Sequence, residues 1–157
     1  MKTLHKLLLS LLLAALSAWA AGHAELPMKK MLNLKTAKAI AAAAQKHAMA
    51  NNWNVAIAIL DDGGNLLYFQ KMDGVQVGSI EVAQRKAISA LKFKRPTKAI
   101  SDGVAGGSTQ LLGLTGAFPF EGGIPLKSGD QVVGSIGVSG VTAEQDGMIA
   151  AAGAKAL

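Results

Sequence analysis

Hydrophobic and polar positions along this chain follow two different periods. The first mature segment is helical. Leu34, Ala37, Ile40, Ala41, Ala44 and Ala48 recur at helical spacing behind Asn33, a residue that caps helices well, so a helix is expected from Leu34 to about Ala50. Its polar face is narrow, carrying Lys35, Lys38, Gln45 and Lys46, while Ala39, Ala42, Ala43 and Ala50 extend the apolar surface around the circumference. Such a helix is expected to be covered on two sides, by its own sheet and by a partner or ligand. Asn51-Asn52 ends it.

From Val55 the period changes to two. Val55 to Leu60 is apolar on both faces and predicts a central strand; Asp61-Asp62-Gly63-Gly64-Asn65 is a hairpin turn, and Leu66 to Met72 returns. Asp73-Gly74 and Gly78 break the pattern, and Ser79 is the expected cap of a helix to about Lys94, with Ile80, Ala83, Ala87 and Leu91 inward and Glu81 and Arg85 four residues apart. Pro96 stops it. A short helix is expected from Thr97 to about Val104, then a loop from Gly106 toward Phe118. Gly122 to Leu126 and Gln131 to Ser139 form a second hairpin around Lys127-Ser128-Gly129-Asp130. On the returning strand, alternation puts Val132, Ile136 and Val138 on a bulky face and Val133, Ser135, Gly137 and Ser139 on a nearly bare one. A bare strand face admits the close approach of a helix, another backbone or a flat ligand. Thr142 and Gln145 fit a capping box that starts the last helix near Ala143. Two hairpins with segregated helices predict an α+β domain with an antiparallel sheet.

Composition sharpens this picture at the N-terminus. Lys2, His5 and Lys6 precede an apolar run from Leu7 to Ala21 that ends in small residues, the pattern of a secretory signal peptide over residues 1–24. The run is shorter than the ~20 residues that span a bilayer. Cleavage is expected after Ala24, with Ala20 the alternative, leaving 25–157 as a single domain that is periplasmic or secreted. Loss of Lys2 and Lys6 leaves 14 basic residues against 10 acidic ones, a charge of +4. That balance, with few aromatics, does not favour nucleic acid. The chain has no cysteine, which excludes disulfides, thiolate metal sites and a cysteine nucleophile.

The chemistry available is narrow, because His47 is the one histidine after the leader. No ligand set has the spacing of a zinc motif, and Gly137-Val138-Ser139-Gly140 is not a nucleophile elbow. Gly134, Gly137 and Gly140 are spaced three apart and are no dinucleotide fingerprint. His47 projects beside Ile40 and Ala43, on the small-residue surface, where an imidazole can ligate haem iron. The alternative is a helix-end histidine that bonds the last carbonyls. Lys86, Lys92, Lys94, Arg95 and Lys98 form a basic run that either receives propionates or is a solvated face.

The ordered set VAIAILDDGGNLLYFQKMDG (55–74), KFKRPT (92–97), GGIPL (122–126) and VVGSIGVSGVTAEQD (132–146) resembles the GlcG/HbpS-like haem-binding family, over about Leu32 to Leu157. The resemblance implies a profilin-like antiparallel β-sheet with helices packed on both faces, and homo-oligomers that bind haem or a related tetrapyrrole near subunit contacts. It further implies an axial ligand from a first-helix histidine, here His47, or from a threonine of the later loop, here Thr109 or Thr115; Arg95 of the basic run is the candidate propionate partner. The expected function is exported haem capture, storage or sensing. One alternative is an enzyme acting on a small organic acid or on the tetrapyrrole, with Asp61, Asp62, Glu121, Glu144 and Asp146 as the available acids and bases. Another is a sensory partner of a membrane protein.

Overall fold

The computed structural model describes residues 25–157, so the expected leader over 1–24 lies outside the described residues. Helix α1 (Leu34–Ala50) starts at Asn33, whose side-chain oxygen accepts a 2.9 Å hydrogen bond from the Thr36 N–H. Strands β1 (Ala56–Asp61) and β2 (Leu66–Lys71) follow, then α2 (Gly78–Phe93), α3 (Thr97–Ala105), a 3-10 turn at Thr109–Gly113, β3 (Gly123–Ser128), β4 (Gln131–Ser139) and α4 (Ala143–Ala154). The four strands form one antiparallel sheet in the order β2-β1-β4-β3. Strand β1 is central because both its faces are apolar and need cover; β3, with Pro125, takes an edge, where a missing N–H costs no ladder bond. The expected α+β class and the antiparallel sheet with helices on both faces are what the structure has.

The two faces of the sheet are covered in different ways. Ile57, Ile59, Ile136 and Val138 pack against Ile40, Ala44 and Ala48 of α1 and Ile149 of α4, the bulky half of the core. On the other face Ala56, Ala58 and Leu60 meet Ala83 and Ala87 of α2, all small except the leucine. There α2 lies on the strand backbone itself. A Cβ added at Gly137 would run into the Ala83 carbonyl and the Ala87 nitrogen, and one added at Gly123 into the Lys86 carbonyl. The bare face of β4 therefore serves helix packing. Part of the small surface of α1 is covered within the chain, where Gly153 of α4 sits against Ala44 and the Ile40 carbonyl, while Ala39, Ala42 and Ala50 are exposed.

Three local expectations change. Ser79 does not cap α2: the helix starts at Gly78, and the buried Ser79 hydroxyl accepts a 3.3 Å hydrogen bond from Gln76 Nε2. The inward stripe of α2 is Ser79, Ala83, Lys86, Ala87, Ser89 and Ala90, with Ile80 and Leu91 at its margins. On β4 the alternation slips. Leu126 pairs with Gly134 and Lys127 with Val132, so Val133 is an extra, bulged residue; it turns into the α1 side of the core, while Val132 faces a groove beside α2. The Thr142–Gln145 capping box is formed as expected, with bonds of 3.3 and 3.2 Å.

Gly137→Ala should lower unfolding free energy by about 3 kcal/mol or more, since the clash is with helix backbone that cannot relax alone. Gly113→Ala, where the added methyl meets open space, should stay within about 0.5 kcal/mol. Urea unfolding of the two variants checks the contrast.

Candidate functional site

His47 lies in the last turn of α1, half-buried, with its ring 6.2 Å from that of Trp53 and tilted by 59°. No described residue hydrogen-bonds its ring. The helix end is closed by Asn51, whose side-chain amide donates 2.8 Å to the His47 carbonyl, so the histidine is not the group that satisfies the last carbonyls. Trp53 also lines an open cavity of about 610 Å³ with Gln45, Met49, Gln70 and Met72. This lies within the ~300–1,000 Å³ range of small-molecule and cofactor sites. His47 borders Trp53 without lining that cavity.

Thr109, Thr115 and Arg95 stand elsewhere. Thr109 opens the 3-10 turn, which packs Leu111 on Gly103 of α3; Thr115 precedes Gly116, which lies against Lys92 of α2; Arg95 follows α2 and its Nε donates 3.3 Å to the Phe93 carbonyl. All three are exposed and lie on the α2–α3 side, across the sheet from α1. One protomer therefore does not bring them together with His47. The basic run also divides. Lys98 pairs with Asp102 at 2.9 Å, and Lys92 and Lys94 border a groove of about 600 Å³ with Asp62, Ile88, Leu91 and Val132. Lys86 belongs to neither reading of the run, because it is buried.

Most of the carboxylates hold structure. Asp61 Oδ1 accepts from the Gly63 and Asn65 N–H groups at 2.9 and 2.8 Å, and Oδ2 from Asn65 Nδ2 at 3.0 Å. Desolvation pulls its pKa up, but these donors outweigh it and hold the group below the usual carboxylate range. Asp62 pairs with Lys29 at 2.6 Å, and Glu121 lies 3.9 Å from Lys98. Among the described residues no three His, Cys, Asp or Glu side chains converge as a metal site.

Asp146 differs. In the first turn of α4, it meets Lys86 Nζ at 2.7 Å, each side chain only 3% exposed. Lys86 also donates to the Val138 carbonyl at 3.0 Å, and the other Asp146 oxygen accepts from the Val141 N–H at 3.2 Å. Burial pushes the Asp146 carboxyl above its ordinary pKa, against the opposing pull of the Lys86 charge and its hydrogen bond. The pair floors a cavity of about 230 Å³ walled by Val82, Phe118, Phe120, Ser139 and Val141. Phe118 is held there by a 4.3 Å contact of the Arg85 guanidinium with its ring and by its N–H donating to Ser89 Oγ at 3.0 Å. Helical projection contains the signal for Lys86, since it falls among Ala83, Ala87 and Ala90 on the buried stripe; the cluster of lysines around it in sequence hid it.

Removing one partner strands a charge. Lys86→Met and Asp146→Asn should each cost about 3–5 kcal/mol, and Lys86→Met/Asp146→Leu less than the sum of the singles. In Lys86→Met the carboxyl loses its cation and its pKa climbs further, so this variant should regain stability as pH falls from neutral toward 5. Denaturant melts across that range check both the coupling and the sign.

Comparison with known proteins places this arrangement. A family model described as "Haem degrading protein HbpS-like" matches residues 32–155. Protein GlcG of Escherichia coli K12 is 39% identical over 111 residues, covering 71% of this chain and 83% of GlcG. A crystal structure of an HbpS double mutant from Streptomyces reticuli superposes with a TM-score of 0.79 at 31% identity, covering 87% of this chain and 94% of that one. The crystal structure of a PduOC:heme complex superposes at 0.74 with 26% identity, covering 82% and 96%. With its sheet, its helix order and nearly all of its described length matched, the chain belongs to the HbpS-like family.

Proposed function

We propose that the protein is exported and binds haem or a closely related tetrapyrrole, for capture, storage or sensing, with His47 as the axial ligand. The observation that carries the reading is His47 itself. It is the one histidine of 25–157, half-exposed at a helix end and tilted against an aromatic ring, with no described hydrogen-bond partner competing for its nitrogens. Membership of a family described by haem, and a relative solved with haem, support it.

The side chains fit the group in part. An imidazole with no hydrogen-bond partner among the described residues suits iron, and Trp53, Met49 and the exposed alanines nearby offer apolar contact. The protomer offers no closed slot around His47, while Thr109, Thr115, Arg95, Lys92 and Lys94 lie across the sheet. They can serve a haem on His47 only from a second copy. A homo-oligomer with haem at the subunit contact is therefore part of the proposal. Bound haem would supply a redox-active iron; His47 would give it a nitrogen, Trp53 and Met49 would cover its apolar surface, and basic side chains of the second copy would pair its propionates. Turnover of the tetrapyrrole, which the family description favours, is the second reading.

Haemin titration of the mature protein should give a saturable Soret band, and His47→Ala should alter that band and weaken binding by about tenfold or more. An unchanged spectrum and affinity in His47→Ala would remove His47 as ligand; no saturable band would remove the haem reading. Slow bleaching of a bound complex would move the protein to the second reading. Mass analysis of the protein from the periplasm should find Glu25 at the N-terminus.

A further inference from the structure

Helix α2 buries Ala83, Ala87 and Ala90 against the sheet and turns a second apolar stripe toward solvent. The stripe runs Val77, Ile80, Gln84, Ile88 and Leu91, with Val77 80% exposed and the other four half-buried. At 3.6 residues per turn these positions fall within about 40° of a single line along the helix. The face of a helix turned away from its own core is ordinarily polar, and four apolar residues of five are the mark of a face that meets a partner.

The order of the stripe identifies the partner. Ile80 and Ile88 stand four residues to either side of Gln84, and Val77 and Leu91 seven to either side, so the row reads the same in both directions. A surface that joins two copies about a two-fold axis must match its own reverse in this way. With α2 antiparallel to the same helix of a second copy and the axis at Gln84, Val77 meets the partner's Leu91 and Ile80 meets the partner's Ile88. Gln84 then meets the partner's Gln84, and an amide, which both donates and accepts, can satisfy its own copy. Charge agrees with this direction. Glu81 and Arg85 flank the stripe on its solvent side, one before and one after Gln84. Reversal brings each Glu81 within a helical turn of the partner's Arg85, whereas parallel helices would set like charges opposite one another.

The sheet edge beside the stripe is open as well. Helix α2 packs over β4, β1 and β3, while β2 is paired only with β1 and carries Leu66, 50% exposed, and Phe69 on the α2 face, opposite Leu60 and Ala58. Leu91 lies against Gly64 in the β1–β2 turn, so stripe and edge share one surface. The other edge strand, β3, contains Pro125; β2 has no proline to discourage a further strand. We propose that this surface joins two copies of the chain, α2 against α2 about a two-fold axis at Gln84. His47 lies across the sheet, outside the contact, so the inference stands apart from the haem reading.

Sedimentation of the mature protein without haemin should show two copies or an even multiple at micromolar concentration. Ile80→Arg, which sets an unpaired charge against the partner's Ile88 at both ends of the contact, should weaken association about a hundredfold or more. Because the chain has no cysteine, introduced thiols report alone. On oxidation Gln84→Cys should crosslink across the axis. Val77→Cys should not, since its two copies stand about 21 Å apart along the helices, but Val77→Cys/Leu91→Cys should. The thiol variants decide the matter if Ile80→Arg does not fold. A monomer or an odd number of copies, association indifferent to Ile80→Arg, or crosslinking of Val77→Cys in place of Gln84→Cys would each overturn the proposal, and a monomer would give the face to an unlike partner.

Discussion

The backbone contact between α2 and β4 sets the geometry on which the other features depend. Because Gly137 and Gly123 have no side chains, the helix sits directly on the strands, and only small residues, Ala83, Ala87 and Ala90, fit beneath it. A helix so close carries its whole inner stripe below the surface, Lys86 included. Once a lysine is buried at that depth it needs a counter-charge and acceptors, and Asp146 with the Val138 carbonyl provides them. The ion pair thus follows from glycine spacing on a strand more than 30 residues away in the chain. It in turn ties the first turn of α4 to α2 across the end of the sheet.

Much of this was legible in the residues. Element order, the central place of β1, the Asn33 cap and the capping box at Thr142 are local signals, each carried by a few neighbouring side chains, and they came out as read. The misreadings are all tertiary. Ser79 looked like a cap because serine after glycine commonly is one, and only its burial shows that the helix begins earlier. Val132 and Val133 exchanged faces because a bulge depends on the partner strand's register, which no single strand encodes.

For the candidate site the division is similar. His47 could be singled out by elimination, and its half-exposed position at the end of α1 agrees with the projection that placed it near Ala43. What linear reading could not supply was side: Thr109, Thr115 and Arg95 share the chain with His47 but stand across the sheet from it. The basic run divides in space into a buried ion pair at Lys86, a surface pair at Lys98, Lys92 and Lys94 beside a groove, and Arg95 bonding the Phe93 carbonyl. Helical phase separates Lys86 from the others, whereas proximity in sequence joins them.

The sheet, finally, acts as a partition. The α1 side holds Ile40, Ile57, Ile59, Ile136 and Ile149 among its alanines, the α2 side holds alanines with Leu60 and Val75, and the two are joined at the margin by Met72 and by the Lys86–Asp146 pair. Substitutions more than ~7–10 Å apart with no shared partner act independently. Residues of the two clusters that touch neither Met72 nor the Lys86–Asp146 pair can therefore drift separately under mutation. One scaffold can change what it holds on one side while keeping what it holds on the other, a latitude that a single shared core would not give.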